Sequence, residues 1–562
     1  MPVESIFEED HLRPVFADES GFVFFSSLDG KLYRASRSTS MRARYFEFKL
    51  TPGLAHYCVP GTPFVYGVLH TRTAITITKS VLAASTIRNV DTWAHQGFPS
   101  TEFDIRAFVP DASTQTIQIL LKPISDPNQC VFVDLNSGQG KSLQMGEAIP
   151  KCVLSDGTFI CELPNNRWAA FDSAGGYLHG GDGKVSHPTT SFAVIRQSSK
   201  QGSQFFLARA EGTLKLSLPS SWSIVDVGAS DLEVFAYAIH ARLGQSVFRA
   251  KPDTLDFDHW ISPCGTAQIF SIGATQTPVL RLTGLNIGSS WISGPQKMCG
   301  VAAPRSDIKV EYISIAGVPC VRVSRSGVRC KNLVVSFHGG PDSHELDDLR
   351  YSGAYREWLD RNVDVLIINY PGSLGFGDAF QTSAWGSWRQ SVETVSRAIR
   401  HAIARHRYES VVAFGVSFGA WVAAQLGDLE AVKRVVVMSP ILSLTEHIER
   451  HSPHNEEFST WASERFGADD LGISLPSNRS HKGAAPVFVL AATNDEIVSP
   501  GSTKSVADRA TDRGHQWQMT EVPGRHYPAS TADAAKRWMV LKELMTQIPT
   551  KTAQSRRPIS DV

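Results

Sequence analysis

The pentapeptide Gly415-Val416-Ser417-Phe418-Gly419 follows the pattern G-x-S-x-G. A short apolar run, Val411 to Phe414, precedes it, and a stretch that favours helix, Ala420 to Leu426, follows it. A strand, a glycine-flanked serine and a helix form a nucleophile elbow, in which a tight turn exposes the serine hydroxyl. Because such a turn has no room for bulky neighbours, glycine suits both flanking positions. The sequence therefore predicts that Ser417 is a catalytic nucleophile.

Two later positions supply the partners that a serine nucleophile needs. A serine hydroxyl requires a base within hydrogen-bond reach, and the base requires a carboxylate that orients it. In α/β-hydrolases the order along the chain is serine, acid and histidine, each on a loop that follows a strand. Asp495 follows the predicted strand 486–490, and His526 follows the predicted strand 518–522. We therefore predict a triad of Ser417, Asp495 and His526.

Each partner has a competitor. Glu496 is adjacent to Asp495, and Asp495 is also placed to cap a helix that begins near Gly501. His515 is the alternative base, but it precedes its strand, whereas His526 follows one on a loop of glycine and proline. The place just past the carboxyl end of a strand favours Asp495, and the chain order together with the loop context favours His526.

An oxyanion hole is the remaining part of the machinery. The tetrahedral intermediate of acyl transfer carries a negative oxygen, which two fixed N–H groups must meet. The residue after the nucleophile, Phe418, is expected to supply one N–H. The loop His338-Gly339-Gly340-Pro341 follows a predicted strand, 333–337, and Gly339 is expected to supply the other. The alternative is a plain glycine turn. This chemistry needs no metal and no organic cofactor.

Strands and helices alternate in the part of the chain that carries these residues. A hairpin is predicted from Ile308 to Val323, followed by strands at 333–337, 363–369, 411–414, 434–438, 486–490 and 518–522. Helices are predicted between them at 354–362, 388–405, 503–513 and 530–545. Such alternation is typical of a mostly parallel, doubly wound sheet with helices on both faces. We therefore predict an α/β-hydrolase catalytic domain over residues 301–548.

The preceding region, residues 16–300, has the character of an all-β domain. Short apolar runs are separated by turn residues, as at Phe22–Arg34 around Asp29-Gly30 and at Ser155–Ile160 around Asp156-Gly157. A pair of β-sandwiches and a β-propeller both fit such a pattern. At roughly 40 residues per four-stranded blade, the length fits a propeller of about seven blades. Residues 1–15 are predicted to be a lead-in segment and residues 549–562 a disordered tail.

Composition excludes several classes of function. The 55 Lys and Arg residues balance the 55 Asp and Glu residues, so no overall charge favours nucleic acid or an anionic membrane. The eight cysteines are scattered without a C-x-x-C pair, which argues against a zinc site and for mostly reduced, buried thiols. The acidic N-terminus has no apolar core typical of a signal peptide, so we expect a cytoplasmic protein.

Several motifs together resemble those of the prolyl oligopeptidase family of serine peptidases. The motifs are His338–Pro341, Asn369–Gly377 (N-Y-P-G-S-L-G-F-G), Gly415–Gly419, Asn494–Val498 and Gly524–His526. The resemblance covers residues 330–530, and the chain length is similar to that of the acylaminoacyl-peptidase-like branch. It implies a propeller that caps the catalytic domain and admits short peptides or acyl-peptides but excludes folded proteins.

The chain also departs from the family pattern. Pro371 replaces an arginine, Ala420 replaces a glycine, and Ile497 stands where prolyl oligopeptidases proper carry a substrate-binding arginine. Strict proline specificity is therefore not expected. A specificity pocket is expected within residues 441–467, where Phe458, Trp461 and Phe466 are apolar candidates.

The motifs predict a serine peptidase that forms an acyl-enzyme. The same triad would also serve an esterase or amidase, or an acyl transferase that cyclises peptides. A non-catalytic propeller scaffold is the alternative from a different class. The oligomeric state, the cleavage site and the natural substrate stay open.

Overall fold

The structure is a computed structural model of the chain. It describes residues 8–18, 21–27, 31–36, 45–48, 55–58, 64–70, 74–83, 86–96, 100, 103–111, 116–126, 128–134, 140–199, 202–219, 221–261, 265–271, 276–294, 296–466 and 484–546. Two compact units divide the described chain. One contains Glu8–Arg305 with Leu374–Gln381, and the other contains Ser306–Ser373 and the residues from Thr382 onward.

The first unit consists of consecutive strands grouped in fours. The strands are β1–β4 (Leu12–Asp18, Gly21–Ser26, Leu32–Ser36, Tyr45–Phe48), β5–β8 (Ala55–Cys58, Phe64–His70, Ala74–Ala83, Thr86–Gln96), β9–β12 (Phe103–Asp111, Thr116–Pro123, Gln129–Asp134, Gly140–Gln144), β13–β16 (Ile149–Val153, Phe159–Leu163, Arg167–Phe171, Tyr177–Asp182), β17–β20 (Lys184–Pro188, Ala193–Ser199, Gly202–Arg209, Gly212–Lys215), β21–β24 (Ser223–Ala229, Val234–His240, Gly244–Ala250, Asp258–Ile261) and β25–β28 (Thr266–Phe270, Val279–Gly284, Gly288–Ser293, Gln296–Cys299). Within each group the strands pair antiparallel in chain order. One parallel bridge, between Val153 and Asp111, joins the third and fourth groups into an eight-stranded sheet. Seven such groups are the blades of a β-propeller, as predicted, rather than two sandwiches.

Apolar residues from neighbouring blades form the cores of this unit. Phe192, Val194 and Leu207 of one blade pack with Val234 and Phe248 of the next. The predicted turn at Asp156-Gly157 is present: Gly157 has a φ of +85° and the Thr158 N–H donates to Asp156 Oδ1 at 2.9 Å. The predicted turn at Asp29-Gly30 lies outside the described residues. So do residues 1–7 of the lead-in and the tail after residue 546.

The second unit contains an eight-stranded sheet. Its strands are β29 (Ile308–Ile315), β30 (Val318–Arg325), β31 (Asn332–Phe337), β32 (Val363–Ile368), β33 (Ser410–Val416), β34 (Val432–Met438), β35 (Val487–Ala492) and β36 (Trp517–Val522). The order across the sheet is β29-β30-β32-β31-β33-β34-β35-β36. β30 runs antiparallel to both of its neighbours, β29 and β32, and every neighbouring pair from β32 across to β36 is parallel. The carboxyl ends of these parallel strands therefore share one edge, where ligand sites of open α/β sheets lie.

Helices connect the strands. They are α1 (Arg350–Asp360), α2 (Asp378–Thr382), α3 (Trp388–His406), α4 (Phe418–Ala424), α5 (Leu444–His451), α6 (Glu456–Phe466), α7 (Pro500–Asp512) and α8 (Thr531–Thr546). The helix predicted at 388–405 is present as α3, and its residues Val395, Ala398, Ile399 and Ala402 are buried in the core of the sheet. Helices α2, α5 and α6 were not among the elements predicted from the sequence. The predicted domain limits at residues 15, 300 and 548 remain predictions.

Six of the eight cysteines are described as free thiols. Cys130, Cys152, Cys161, Cys320 and Cys330 are buried, and Cys299 is exposed. The side chains of Cys58 and Cys264 are outside the described part of the chain. Among the described residues, no helix has both the length and the apolar character needed to cross a bilayer.

Candidate active site

Ser417 occupies the turn between β33 and α4. Its backbone, with φ of 53° and ψ of −118°, lies in a region that a residue other than glycine rarely adopts. A Cβ atom at Gly415 would clash with the backbone of Gly419, and one at Gly419 would clash with the carbonyl oxygens of Phe337 and His338. Both flanking glycines are therefore required by close backbone approach, as the sequence predicted.

Asp495 and His526 lie at the carboxyl ends of the neighbouring strands β35 and β36. His526 Nδ1 is 3.0 Å from Asp495 Oδ1 and 2.9 Å from Oδ2, and both side chains are 2% exposed. Because an ionised carboxylate only accepts hydrogen bonds, Nδ1 carries the proton and Nε2 is left with its lone pair. The pair therefore holds the imidazole in the tautomer that a general base needs.

Burial and hydrogen bonding act against each other on Asp495. Burial raises the pKa of its carboxyl, but the hydrogen bonds from His526 and from the main-chain N–H groups of Val498 and Ile497 outweigh burial. Those two N–H groups donate to Oδ1 at 2.7 and 3.0 Å. The net effect lowers the pKa, so Asp495 is a carboxylate at neutral pH.

The competing assignments have other structural roles. Ser499, not Asp495, caps α7, because its hydroxyl accepts the N–H of Ser502 at 3.4 Å. Glu496 Oε2 accepts the main-chain N–H of His526 at 3.1 Å. His515 precedes β36, at the opposite end of that strand from His526, and its N–H donates to Ala510 O at the end of α7.

The turn after β34 links the serine to the histidine. The Ser417 N–H donates to Met438 O at 3.0 Å, and the Ile441 N–H donates to Ser417 O at 3.1 Å. The hydroxyl of Ser439, in the same turn, donates to His526 O at 3.5 Å. One turn therefore holds the main chains of both residues at the edge where the parallel strands end.

Gly339 lies beside the serine. A Cβ atom at Gly339 would be 3.2 Å from Ser417 Cβ and 3.8 Å from Ser417 Oγ. Within the described chain, no hydrogen bond occupies the N–H of Gly339 or that of Phe418. Phe418 is buried and Gly339 is half-buried, and two free N–H groups next to a serine suit the binding of an anionic oxygen.

His338, next to Gly339, is a fully buried histidine that keeps its loop in place. Burial lowers its pKa to about 3, so the ring is neutral at physiological pH. Nδ1 lies 2.6 Å from Gly339 O, and Nε2 lies 2.8 Å from the hydroxyl of Ser373. Because the carbonyl of Gly339 can only accept, Nδ1 donates to it and Nε2 accepts from Ser373.

Motifs and the order of residues along the chain did not predict a role for two side chains near the site, Tyr370 and Arg537. Tyr370 stacks on the ring of His338 with ring centroids 4.4 Å apart. The signal for Tyr370 was present, because it belongs to the Asn369–Gly377 motif. Arg537 of α8 donates to the carbonyls of His526 and Arg525, at 2.8 Å in the first case, and so fixes the histidine loop. Arg537 gave no sequence signal, since it is a single cation on a helix.

The aromatic residues of the predicted specificity pocket differ from one another. Phe466 is buried in the core of the sheet, whereas Phe458 and Trp461 are half-buried. Trp461 Nε1 donates to Oδ2 of Asp342, which directly follows the His338–Pro341 loop, at 2.8 Å. The segment that carries Phe458 and Trp461 therefore adjoins the loop that holds Gly339.

Comparisons with known proteins find similarity in the part of the chain that carries Ser417, Asp495 and His526. Residues 350–541 match the description "Prolyl oligopeptidase family". A stretch of 94 residues is 33% identical to dipeptidyl-peptidase 4 of Giardia intestinalis, and it covers 16% of this chain and 12% of that protein. The chain thus matches only about an eighth of that relative's length.

Solved structures extend the similarity to both units. An acylaminoacyl peptidase of Pyrococcus horikoshii matches with a TM-score of 0.69 and 9% identity over 98% of each chain. A puromycin-hydrolyzing peptidase of Mycobacterium tuberculosis matches with a TM-score of 0.62 and 14% identity over 97% of this chain and 96% of that one. At such identities the similarity establishes the fold, a β-propeller joined to an α/β-hydrolase domain.

Proposed function

We propose that the chain is a member of the prolyl oligopeptidase family, whose description residues 350–541 match, and that it is a serine peptidase that cleaves short peptides through an acyl-enzyme. The observation that carries the proposal is the buried pair of Asp495 and His526, which share the strand-end edge with Ser417. A carboxylate that fixes the tautomer of a histidine in this position is the arrangement that activates a serine.

Each residue of the site has one role in the proposed reaction. His526 Nε2 takes the proton of Ser417 as Oγ attacks the scissile carbonyl, and the N–H groups of Gly339 and Phe418 bind the resulting oxyanion. The C–N bond breaks as His526 returns the proton to the departing amine. Water then attacks the acyl-enzyme by the same route, which releases the acid and free Ser417. Asp495 keeps the ring oriented and stabilises the imidazolium throughout.

The neighbouring side chains support a preference for substrates with an apolar residue at the cleaved bond, rather than a strict requirement for proline. Phe458 and Trp461 offer half-buried aromatic surface next to the Gly339 loop. Ile497, which is 36% exposed, offers no charge for a substrate backbone where prolyl oligopeptidases proper carry an arginine. A short peptide or acyl-peptide with an apolar residue at the cleaved bond is therefore the proposed substrate. The cytoplasmic location stays a prediction, which cell fractionation would test.

A fluorophosphonate probe and a substrate library would test the function. Wild-type protein should react with the probe, and Ser417→Ala should abolish the labelling. Chromogenic aminoacyl and peptidyl amides, with free and blocked N-termini, should be cleaved, whereas an esterase would cleave only the simple esters of the same acyl groups. Short peptides should be cleaved and folded proteins spared. Labelling that persists in Ser417→Ala, or cleavage of simple esters without cleavage of any peptidyl amide, would contradict the proposal.

A further inference from the structure

The carbonyl oxygen of His338 belongs to the same peptide group as the N–H of Gly339. The hydroxyl of Tyr370 lies 3.1 Å from that oxygen. It is also 3.3 Å from His338 Nδ1, but Nδ1 already carries the proton that it donates to Gly339 O at 2.6 Å. The proton of the Tyr370 hydroxyl is therefore directed to the carbonyl of His338.

We infer that Tyr370 is a positioning residue for the oxyanion hole, because its hydroxyl orients and polarises the peptide group whose N–H meets the oxyanion. This inference rests on the proposed function of the site. A donor at the carbonyl of an amide strengthens the N–H of the same amide as a donor, since hydrogen bonds in a chain polarise one another. Tyr370 thus acts on the reaction through Gly339, without touching the substrate.

The surroundings fix Tyr370 for this task. The ring is fully buried, stacks on His338 and meets Trp388 and Phe418 edge-on or tilted. Burial keeps the pKa of the hydroxyl well above its ordinary value, so the group stays a donor over the working pH range. The close approach of Gly419 to the same carbonyl confines the peptide from the other side.

Both peptide groups that flank Gly339 are therefore held by side chains. Tyr370 holds the carbonyl before Gly339, and the ring of His338 holds the carbonyl after it. Ser373 in turn donates to His338 Nε2 at 2.8 Å, which keeps the proton on Nδ1. Tyr370 and Ser373 both come from the Asn369–Gly377 motif, which gives that motif a physical role at this site.

The test removes one hydroxyl and keeps the ring. In Tyr370→Phe we expect kcat and the rate of fluorophosphonate labelling to fall together, on the order of three- to tenfold, because a polarised donor is weakened but not removed. Affinity for an uncleaved peptide, measured in the Ser417→Ala background with and without Tyr370→Phe, should change by less than about twofold, because the oxyanion forms only in the transition state.

Tyr408→Phe is the matched control. Tyr408 is also buried, and it lies just before the start of β33, at the opposite end of that strand from the elbow. Its hydroxyl donates to Asp364 Oδ2 at 2.7 Å. The Tyr408→Phe substitution should change the midpoint temperature of thermal unfolding but should change neither kcat nor the rate of fluorophosphonate labelling. Tyr370→3-fluorotyrosine, whose phenol is a stronger donor, should react at least as fast as wild type.

Two results would overturn the inference while the proposed function stands. One is unchanged kcat and labelling in Tyr370→Phe. The other is a fluorotyrosine variant as slow as Tyr370→Phe, which would assign the effect to packing of the ring. If the wild-type protein is not labelled at Ser417, the proposed function itself fails, and the inference fails with it.

Discussion

Asp495 accepts the ring N–H of His526, whereas the next residue, Glu496, accepts the main-chain N–H of the same histidine. The distances are 2.9 Å to Asp495 Oδ2 and 3.1 Å to Glu496 Oε2. The carboxylates of two adjacent residues thus accept from two different groups of His526, one from its ring and the other from its main chain. Only the contact to the ring determines which nitrogen carries the proton, so the two carboxylates should differ sharply in their effect on the reaction.

The first prediction compares these two carboxylates. In Asp495→Asn we expect kcat for a peptide amide to fall about 10⁴-fold, because an amide in that place favours the wrong tautomer of His526. In Glu496→Gln the amide oxygen still accepts the main-chain N–H, so kcat should stay within about tenfold. Steady-state kinetics on one substrate would measure both. The reverse ranking would assign the catalytic acid to Glu496.

The second prediction separates the two candidate histidines. His526→Ala should reduce kcat about as much as Ser417→Ala, on the order of 10⁴-fold or more, because the members of a triad act as a unit. His515 is buried at the start of β36, so His515→Ala should lower the thermal midpoint without a comparable loss of kcat. Severe loss in His515→Ala with a mild effect of His526→Ala would show that the base is misassigned.

The sequence predicts most strands of the hydrolase sheet, but it predicts only some of the side-chain contacts around the candidate active site. Strands such as β32 and β34 each contain an apolar run of four residues, 365–368 and 435–438, and the buried residues of α3 recur at helical spacing, so the sequence pattern locates these elements. The elbow follows from Gly415 and Gly419, because close backbone approach leaves glycine as the only choice. These features depend on local pattern, which one sequence contains.

The remaining contacts depend on residues far apart in the chain. Arg537 reaches the carbonyl of His526 from α8, and Tyr370 reaches the carbonyl of His338 from another loop. Arg537 does not differ by type from the other cations in the sequence, and the motif that contains Tyr370 does not show which group its hydroxyl meets. The short helices α5 and α6 follow the turn after β34, and tertiary packing rather than propensity sets their positions.

The third prediction concerns the close packing under the elbow. In Gly419→Ala the new methyl group would clash with the backbone at Phe337 and His338, so we expect a loss of about 1–3 kcal/mol or more in the free energy of unfolding and a large loss of kcat. Gly427→Ala is the control, since its nearest neighbour would be at 3.6 Å, an ordinary contact. Denaturant titration and kinetics would measure both. A fully active, stable Gly419→Ala would contradict the described approach of the two loops.

The fourth prediction is a pH dependence of stability that comes from His338. Its folded pKa is about 3, far below the ordinary value of 6.5, because burial disfavours the charged ring. Below about pH 6.5 the unfolded chain binds a proton that the folded chain does not bind, so the stabilisation present at higher pH is lost as the pH falls toward about 3. The slope from this one group is at most about 1.4 kcal/mol per pH unit.

The comparison of wild type with His338→Asn isolates that contribution, because asparagine does not titrate. The free energy of unfolding of wild type minus that of the variant should be largest near pH 8 and should shrink steadily between about pH 6 and about pH 4. Guanidinium titrations followed by tryptophan fluorescence at each pH would measure it. If the wild-type and His338→Asn curves are parallel, His338 takes up its proton as freely in the folded protein as in the unfolded one. The neutral ring that holds the Gly339 carbonyl would then be ruled out.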